Sequence, residues 1–314
     1  MCCFSTKTEV RGTSIFARFV RPGTQALVYQ MRFAAERPTA MILPLPVALP
    51  AKEDSVRFKS LKEYPGFFTD LAAGFPALPS SGLMRSKSAP ASQAVAAAAP
   101  LAVHDVGDFV ATFVPSVKDF GRVDARFVIP KDVWDRIPAY ADYGFAVFQL
   151  KELSGSPHPI ALELDTRSPD KLFFPTVHIH DGSVHEQDDF DHVLYAQEFR
   201  LDGRAGDYAG PEAVDAKTGF VRSKDKASSF ADAARSQAIV DGNLLVHKKT
   251  LRGLLPNRDT TFDLRAVVAS RSSGACSRCD VGAGAAPSGA WLPVSATLAG
   301  LGWIIRRRNE RRGG

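Results

Sequence analysis

The sequence predicts a mainly β fold of two antiparallel units, each sandwich- or barrel-like, with a few short helices and a C-terminal hydrophobic helix. The chain has 314 residues, 45% of them hydrophobic and 23% charged, which is enough apolar material for folded cores. Short segments rich in β-branched and aromatic residues follow one another with turn residues between them, a pattern typical of sandwiches and barrels. A long stretch of Ser, Ala and Pro separates two such groups of segments.

The first β unit comprises residues 1–79. Segments 14–20 and 25–33 are separated by Arg21-Pro22-Gly23-Thr24, which predicts a hairpin. Two further strands and a short helix complete the unit, at 40–45, 55–61 and 64–78.

Residues 80–103 are interpreted as a linker, because their Ser, Ala, Pro and Gln side chains bury too little surface to hold one conformation. The alternative is an Ala-rich helix at 92–99, which is short for a helix without packing.

The second β unit comprises residues 104–269. Its predicted strands share short length and apolar composition: 109–114, 125–129, 144–153, 159–164, 172–180, 192–201, 243–255 and 261–268. Its predicted helical pieces are 131–140, which follows Pro130, and 228–240, which ends at Asp241-Gly242.

The C-terminal region combines a tether with a hydrophobic segment. Residues 270–289 are rich in Gly, Ser and Ala and contain Cys276 and Cys279. Residues 290–305 form a run of 16 residues without charge, followed by a cluster of arginines up to residue 312. Such a helix is about 24 Å long, shorter than the roughly 30 Å hydrocarbon core. The alternatives are a membrane anchor within 290–314, with the body outside the cytoplasm, and a core element with a basic end.

The tail resembles the three-part C-terminal sorting signals of some bacterial exported proteins, in which a short motif, an apolar helix and an arginine cluster follow one another. Cys276-Ser277-Arg278-Cys279 is similar to the cysteine-bearing motif of the myxobacterial kind. The first 100 residues, especially 40–61, resemble uncharacterised bacterial exported proteins. The resemblance implies an envelope location and carries no activity. Ser295-Ala296 departs from the Thr-Gly that sortase attack requires.

The distribution of charge bears on nucleic-acid binding, and the N-terminal sequence bears on the cellular location of the protein. The tail arginines and Glu310 contribute +4 of the net charge of +5, so no basic face for nucleic acid is expected upstream. The N-terminus lacks the apolar region of a secretory signal, which leaves a cytoplasmic location open. A signal-like pattern begins at Met31, but its prolines and the strands before it favour a folded domain.

Four of the seven histidines lie between positions 178 and 192. If Asp181-Gly182 forms a two-residue hairpin turn, His178 and His180 share one face, and His185 lies opposite His178. Three imidazoles with an open position are a known arrangement for catalytic zinc.

The predicted metal ligands are therefore His178, His180, His185 and His192. The candidates for a general base are Asp189 and Asp191, while Glu186 points away in this register. The alternative is an amphipathic hairpin whose outer face carries histidines bonded to nearby aspartates.

Two functions follow from these observations. The first is a membrane-tethered envelope protein whose β-rich body binds or scaffolds a protein or small-molecule partner. The second is a zinc-dependent hydrolase that uses the three histidines of the 178–185 hairpin, with a nearby aspartate as the base.

Overall fold

Sixteen strands and two α-helices form in the part of the chain that the computed structural model describes, residues 3–76, 101–210 and 218–265. The first eight strands are β1 (Cys3–Phe4), β2 (Thr8–Arg21), β3 (Thr24–Ala35), β4 (Ala40–Leu45), β5 (Val56–Ser60), β6 (Val103–Val106), β7 (Phe109–Val114) and β8 (Gly144–Leu150). The others are β9 (Ser154–Gly155), β10 (Ile160–Asp165), β11 (Lys171–Phe174), β12 (Gln187–Gln197), β13 (Gly206–Asp207), β14 (Val221–Arg222), β15 (His247–Pro256) and β16 (Thr260–Asp263). The α-helices are α1 (Phe67–Ala73) and α2 (Lys131–Asp135), and short 3₁₀ helices cover Val117–Arg122, Ala125–Phe127, Pro138–Tyr140, Phe199–Leu201 and Ala227–Ser229.

The strands form two large sheets and one small pair. A five-stranded sheet has the order β1-β4-β8-β7-β6, and a larger sheet has the order β13-β14-β15-β12-β2-β3-β10-β5 with β9 beside β3. β11 and β16 pair separately. Most neighbours are antiparallel, as the sequence predicts, but β12 runs parallel to β2 and β13 runs parallel to β14.

Alternating side chains bury both faces of the large sheet. On β3, Leu27 and Tyr29 enter the core between the two sheets, while Ala26 and Val28 face the layer that contains α1. The outer face of the five-stranded sheet packs in the same way against α2 and the three 3₁₀ helices Val117–Arg122, Ala125–Phe127 and Pro138–Tyr140. The period of two thus places apolar residues on both sides of the central strands.

The two predicted β units share both large sheets. The five-stranded sheet joins β1 and β4 of the first unit to β6, β7 and β8 of the second, and the larger sheet is mixed in the same way. All described residues lie in one compact unit, Met1–Gly274. The structure therefore does not separate the segment 1–79 from the segment 104–269.

Several predicted elements are confirmed, and others differ for a local reason. The first hairpin, the strands at 40–45 and 55–61 and a helix within 64–78 are present as β2, β3, β4, β5 and α1. Residues 125–129 contain a 3₁₀ helix instead of a strand, and 172–180 form a strand only up to Phe174.

The helix predicted at 228–240 is wrong, because the chain turns repeatedly there. Gln237 and Ala238 have φ of 54° and 61°, a left-handed conformation that ends a helix. Arg18 donates hydrogen bonds to the carbonyls of Ala238 and Ile239, at 3.1 and 3.0 Å, and so holds this turn against β2.

Three predicted segments lie wholly or mainly outside the described residues: the linker up to residue 100, the tether at 270–289 and the hydrophobic tail at 290–314. Within the three described ranges, no helix is long and apolar enough to cross a membrane.

Candidate functional site

The histidine-rich segment does not form the predicted hairpin. Residues 175–186 run irregularly, with one bridge from Ile179 to Cys3. Phe4 donates its backbone amide to the carbonyl of Ile179 at 2.9 Å, and Thr8 donates to that of His180 at 3.0 Å. The segment therefore pairs with the N-terminal strands and not with the residues that follow its own turn.

Side-chain bonds at Asp181 explain why the Asp-Gly signal failed. Asp181 accepts a hydrogen bond from the amide of Ser183 at 2.9 Å, and His185 Nε2 lies 3.2 Å from its carboxylate. Asp side chains that bond to nearby backbone amides in this way take the place of the hydrogen bonds that a β-ladder would make. His185 is consequently exposed, with 53% of its side chain accessible, and lies apart from the other predicted ligands.

Three histidines do come together, and we call His178, His180 and His192 the imidazole cluster. The His178 ring lies in the middle, with centroids 5.1 Å from His180 and 5.0 Å from His192 and interplanar angles of 13° and 25°. His192 lies on β12. Phe190, two residues earlier on the same strand, packs against His178 with ring centroids 4.2 Å apart.

The imidazole cluster is kept neutral by its burial. His178 and His192 are fully buried. Burial lowers the pKa of His178 to about 2 and that of His180 to about 4, and it also lowers the pKa of His192. Asp188 lies 3.5 Å from His178 and Asp191 lies 3.8 Å from His192, but these carboxylates do not reverse the effect of burial.

Stacked rings are poorly arranged to share a metal ion. Ring nitrogens bind a metal in the plane of the imidazole, and nearly parallel rings direct their lone pairs along separate planes. Within the described ranges, no group of three His, Cys, Asp or Glu side chains has the geometry to hold a metal ion. Zinc binding by these histidines stays a prediction, and it would require the rings to rotate.

The two predicted bases occupy different places. Asp191 Oδ2 accepts a hydrogen bond from the backbone amide of Gly12 at 2.5 Å, which joins β12 to β2. Asp189 is exposed, and its amide bonds to the side chain of Asp188 at 2.8 Å. Asp191 Oδ1 lies 3.8 Å from Nδ1 of His192, beyond hydrogen-bond distance for this pair of atoms.

Asn257 and Asp259 hold the histidine-rich segment in place, a role that sequence reasoning missed. Asn257 Nδ2 donates to the carbonyls of His178 and His185 at 2.8 and 3.1 Å, and its Oδ1 accepts from the amide of His178 at 2.7 Å. The signal in the sequence is Pro256-Asn257-Arg258-Asp259, a polar turn directly after the predicted strand 243–255.

Asp259 accepts three hydrogen bonds from buried donors. They come from the hydroxyl of Tyr140 at 2.6 Å and from the amides of Thr176 and Val177 at 2.8 and 3.1 Å. Burial raises the pKa of Asp259, and these bonds oppose that rise by stabilising the carboxylate.

In the part of the chain that the structure describes, the outer side of β15 has a neighbouring strand only at its first two residues. β15 pairs with β12 along its whole length, but β14 covers it only at His247 and Lys248. We call residues 250–256 the open edge, since none of the described strands pairs with their outer side. Leu254 on this edge is 68% exposed.

A cleft of about 320 Å³ lies beside the end of α1 and contains none of the predicted site residues. Its lining includes the rings of Tyr208 and Phe230 and the exposed side chains of Lys224 and Asp225.

Comparisons with known proteins assign no family. No family model matches the sequence, and no curated protein matches it. Among solved structures, the crystal structure of baculovirus P35 is 16% identical, with a TM-score of 0.45, covering 83% of this chain and 99% of that one. P35 in the caspase-8/P35 complex is 15% identical, with a TM-score of 0.40, covering 80% of this chain and 95% of that one. A likeness at this level assigns neither a family nor an activity.

Proposed function

We propose that this chain is a binding protein that accepts an extended segment of another protein as an added strand on the open edge. The observation that carries the proposal is the length of β15 left without a described neighbour on its outer side, from residue 250 to residue 256. Unpaired backbone groups of this kind are a template for another chain.

Hydrogen bonds at both ends of β15 indicate which residues point outward. Val246 accepts from the amide of Ser223 at 2.8 Å on the outer side, and Asn257 donates to Glu186 at 2.9 Å on the inner side. Because backbone groups alternate along a strand, Thr250, Arg252 and Leu254 direct their amides and carbonyls outward. These three residues supply the bonds that an added strand would use.

Charge favours a different protein over a second copy as the partner. β15 contains Lys248, Lys249 and Arg252 and no acidic residue. Of these, Arg252 alone lies on the open edge, so two copies paired there would bring their two Arg252 side chains close together, which costs free energy. Pro256 and the charge of Arg252 are also features by which natural edge strands avoid self-association.

Peptide display on the full-length chain tests this proposal. A library of random seven-residue peptides, selected on the chain, is expected to yield binders that lose affinity about tenfold or more for Thr250→Pro. Proline at this position removes an outward amide and leaves the bonds to β12 intact. Leu254→Lys is expected to weaken binding as well, because it removes the exposed apolar contact.

Leu49→Lys is the matched control, since Leu49 is 58% exposed and lies outside β15. Circular dichroism of each variant confirms that the fold is retained. Peptides that bind Thr250→Pro and Leu254→Lys as well as they bind the unchanged chain would refute the proposal, as would a selection that yields no binder.

We also propose that residues 290–314 tether this body to a membrane. The support is the uncharged run of 16 residues followed by the arginine cluster. Membrane fractionation of the full chain and of a chain ending at Gly289 tests it. We expect the full chain in the membrane pellet and the shortened chain in the supernatant, and equal partition of the two would contradict the tether.

A further inference from the structure

The open edge carries a cation without a protein partner. Arg252 is exposed, and the ion pairs formed within the described residues do not include it. Asp191 lies directly opposite Arg252 on β12, but its carboxylate is engaged by the amide of Gly12 at 2.5 Å. Arg252 is therefore available to a carboxylate from outside.

Gly253 leaves space next to this cation. Its φ is +81°, and no heavy atom lies within 4 Å of the position that a Cβ would occupy. Aromatic side chains on a neighbouring strand often cover a glycine in this situation. The half-buried Leu251 and Leu255 lie on the same face as Gly253 and would form the walls of a site for such a ring.

Leu254 offers an apolar contact on the other face. It shares that face with Arg252, and at 68% it is the most exposed large hydrophobic residue within the described ranges. Burial of such a side chain contributes to binding in proportion to its apolar area. Along the open edge, an apolar contact at Leu254, a space at Gly253 and a cation at Arg252 therefore follow one another.

From these positions we infer the pattern of the partner strand, an inference that rests on the proposed function. It runs antiparallel to β15 and carries, in order, an apolar residue opposite Leu254, an aromatic residue opposite Gly253, an acidic residue opposite Arg252 and an apolar residue opposite Leu251. An antiparallel partner is favoured because this pairing is the more stable per residue. The partner is therefore an acidic, aromatic-containing extended segment.

Two synthetic peptides test the pattern by fluorescence anisotropy with the full chain. One contains Val-Phe-Glu-Val-Thr, the other Val-Phe-Lys-Val-Thr, each between Gly-Ser flanks that carry the dye. The glutamate peptide is expected to bind about tenfold more tightly, and Arg252→Glu is expected to reverse the preference. Arg136→Glu makes the same charge change at an exposed site elsewhere and should leave the preference unchanged.

The outcomes separate this inference from the proposed function. If both peptides bind equally and Thr250→Pro abolishes both, the charge pattern is overturned while strand addition stands. If neither peptide binds, the pattern is overturned, and the display selection decides the proposed function independently. If sedimentation shows a dimer that Thr250→Pro dissociates, a second copy occupies the edge and the inference is overturned.

Discussion

Asp259→Ala is expected to lower the free energy of unfolding by about 4 kcal/mol. The substitution removes the acceptor of three hydrogen bonds and leaves their donors buried. Tyr140, Thr176 and Val177 are 5%, 0% and 2% exposed, so water does not replace the carboxylate easily. Urea denaturation at pH 7.5, followed by circular dichroism, measures the change.

Two further variants test whether the loss comes from the hydrogen bonds to Asp259. Asp259→Asn keeps an oxygen for the backbone amides and is expected to lose less than half as much stability. Asp132→Ala, at an exposed position of α2, is expected to change stability by less than about 0.5 kcal/mol. A loss in Asp259→Ala no larger than that of Asp132→Ala would show that the bonds to Asp259 do not hold the histidine-rich segment.

Local sequence patterns predict where the strands form, but they do not predict which strands pair with each other. The hairpin of β2 and β3 follows from Pro22-Gly23, because turn and strands are contiguous in the sequence. The parallel pairing of β12 with β2 joins Val193 to Ser14, and nothing in either segment specifies the other. The sharing of both large sheets by residues from before and after the Ser/Ala/Pro stretch is unpredictable for the same reason, since a composition break does not show where strands pair.

At the candidate site, too, contacts between side chains that are distant in the sequence are not predicted by local patterns. The rings of His178 and His180 lie together although the hairpin that predicted this is absent, and His192 joins them in place of His185. Alternation along β12, where Phe190, His192 and Leu194 face one side, could have placed His192 in the core. The hydrogen bonds between Asn257 and the backbone of His178 could not be predicted, because the two residues are 79 positions apart in the sequence.

The burial of the imidazole cluster makes the stability of the protein sensitive to acid. The folded chain holds these histidines neutral, because burial lowers the pKa of His178 to about 2 and of His180 to about 4 and also lowers that of His192. In the unfolded chain each titrates near 6.5. Below that pH the unfolded state binds more protons than the folded state, so stability is complete above about pH 6.5 and falls as the pH decreases.

The expected loss is large. Between pH 7.5 and pH 5.0 each histidine that stays neutral in the folded chain costs about 2 kcal/mol, and the sum for three histidines is comparable to the stability of a whole domain. Asp188 and Asp191 near the cluster reduce the loss in part, since their charge favours protonated imidazole. Urea denaturation at pH 7.5, 6.0 and 5.0 measures the slope.

His180→Phe isolates the contribution of the cluster to this slope. The phenylalanine ring can pack against Phe4, which already contacts His180 at 5.9 Å, and it takes up no proton. The loss of stability on acidification should therefore decrease by about one third, because one of the three histidines of the imidazole cluster is removed. His185→Gln, which removes an exposed histidine, should leave the slope nearly unchanged; equal slopes in all three chains would show that the imidazole cluster does not govern the acid sensitivity.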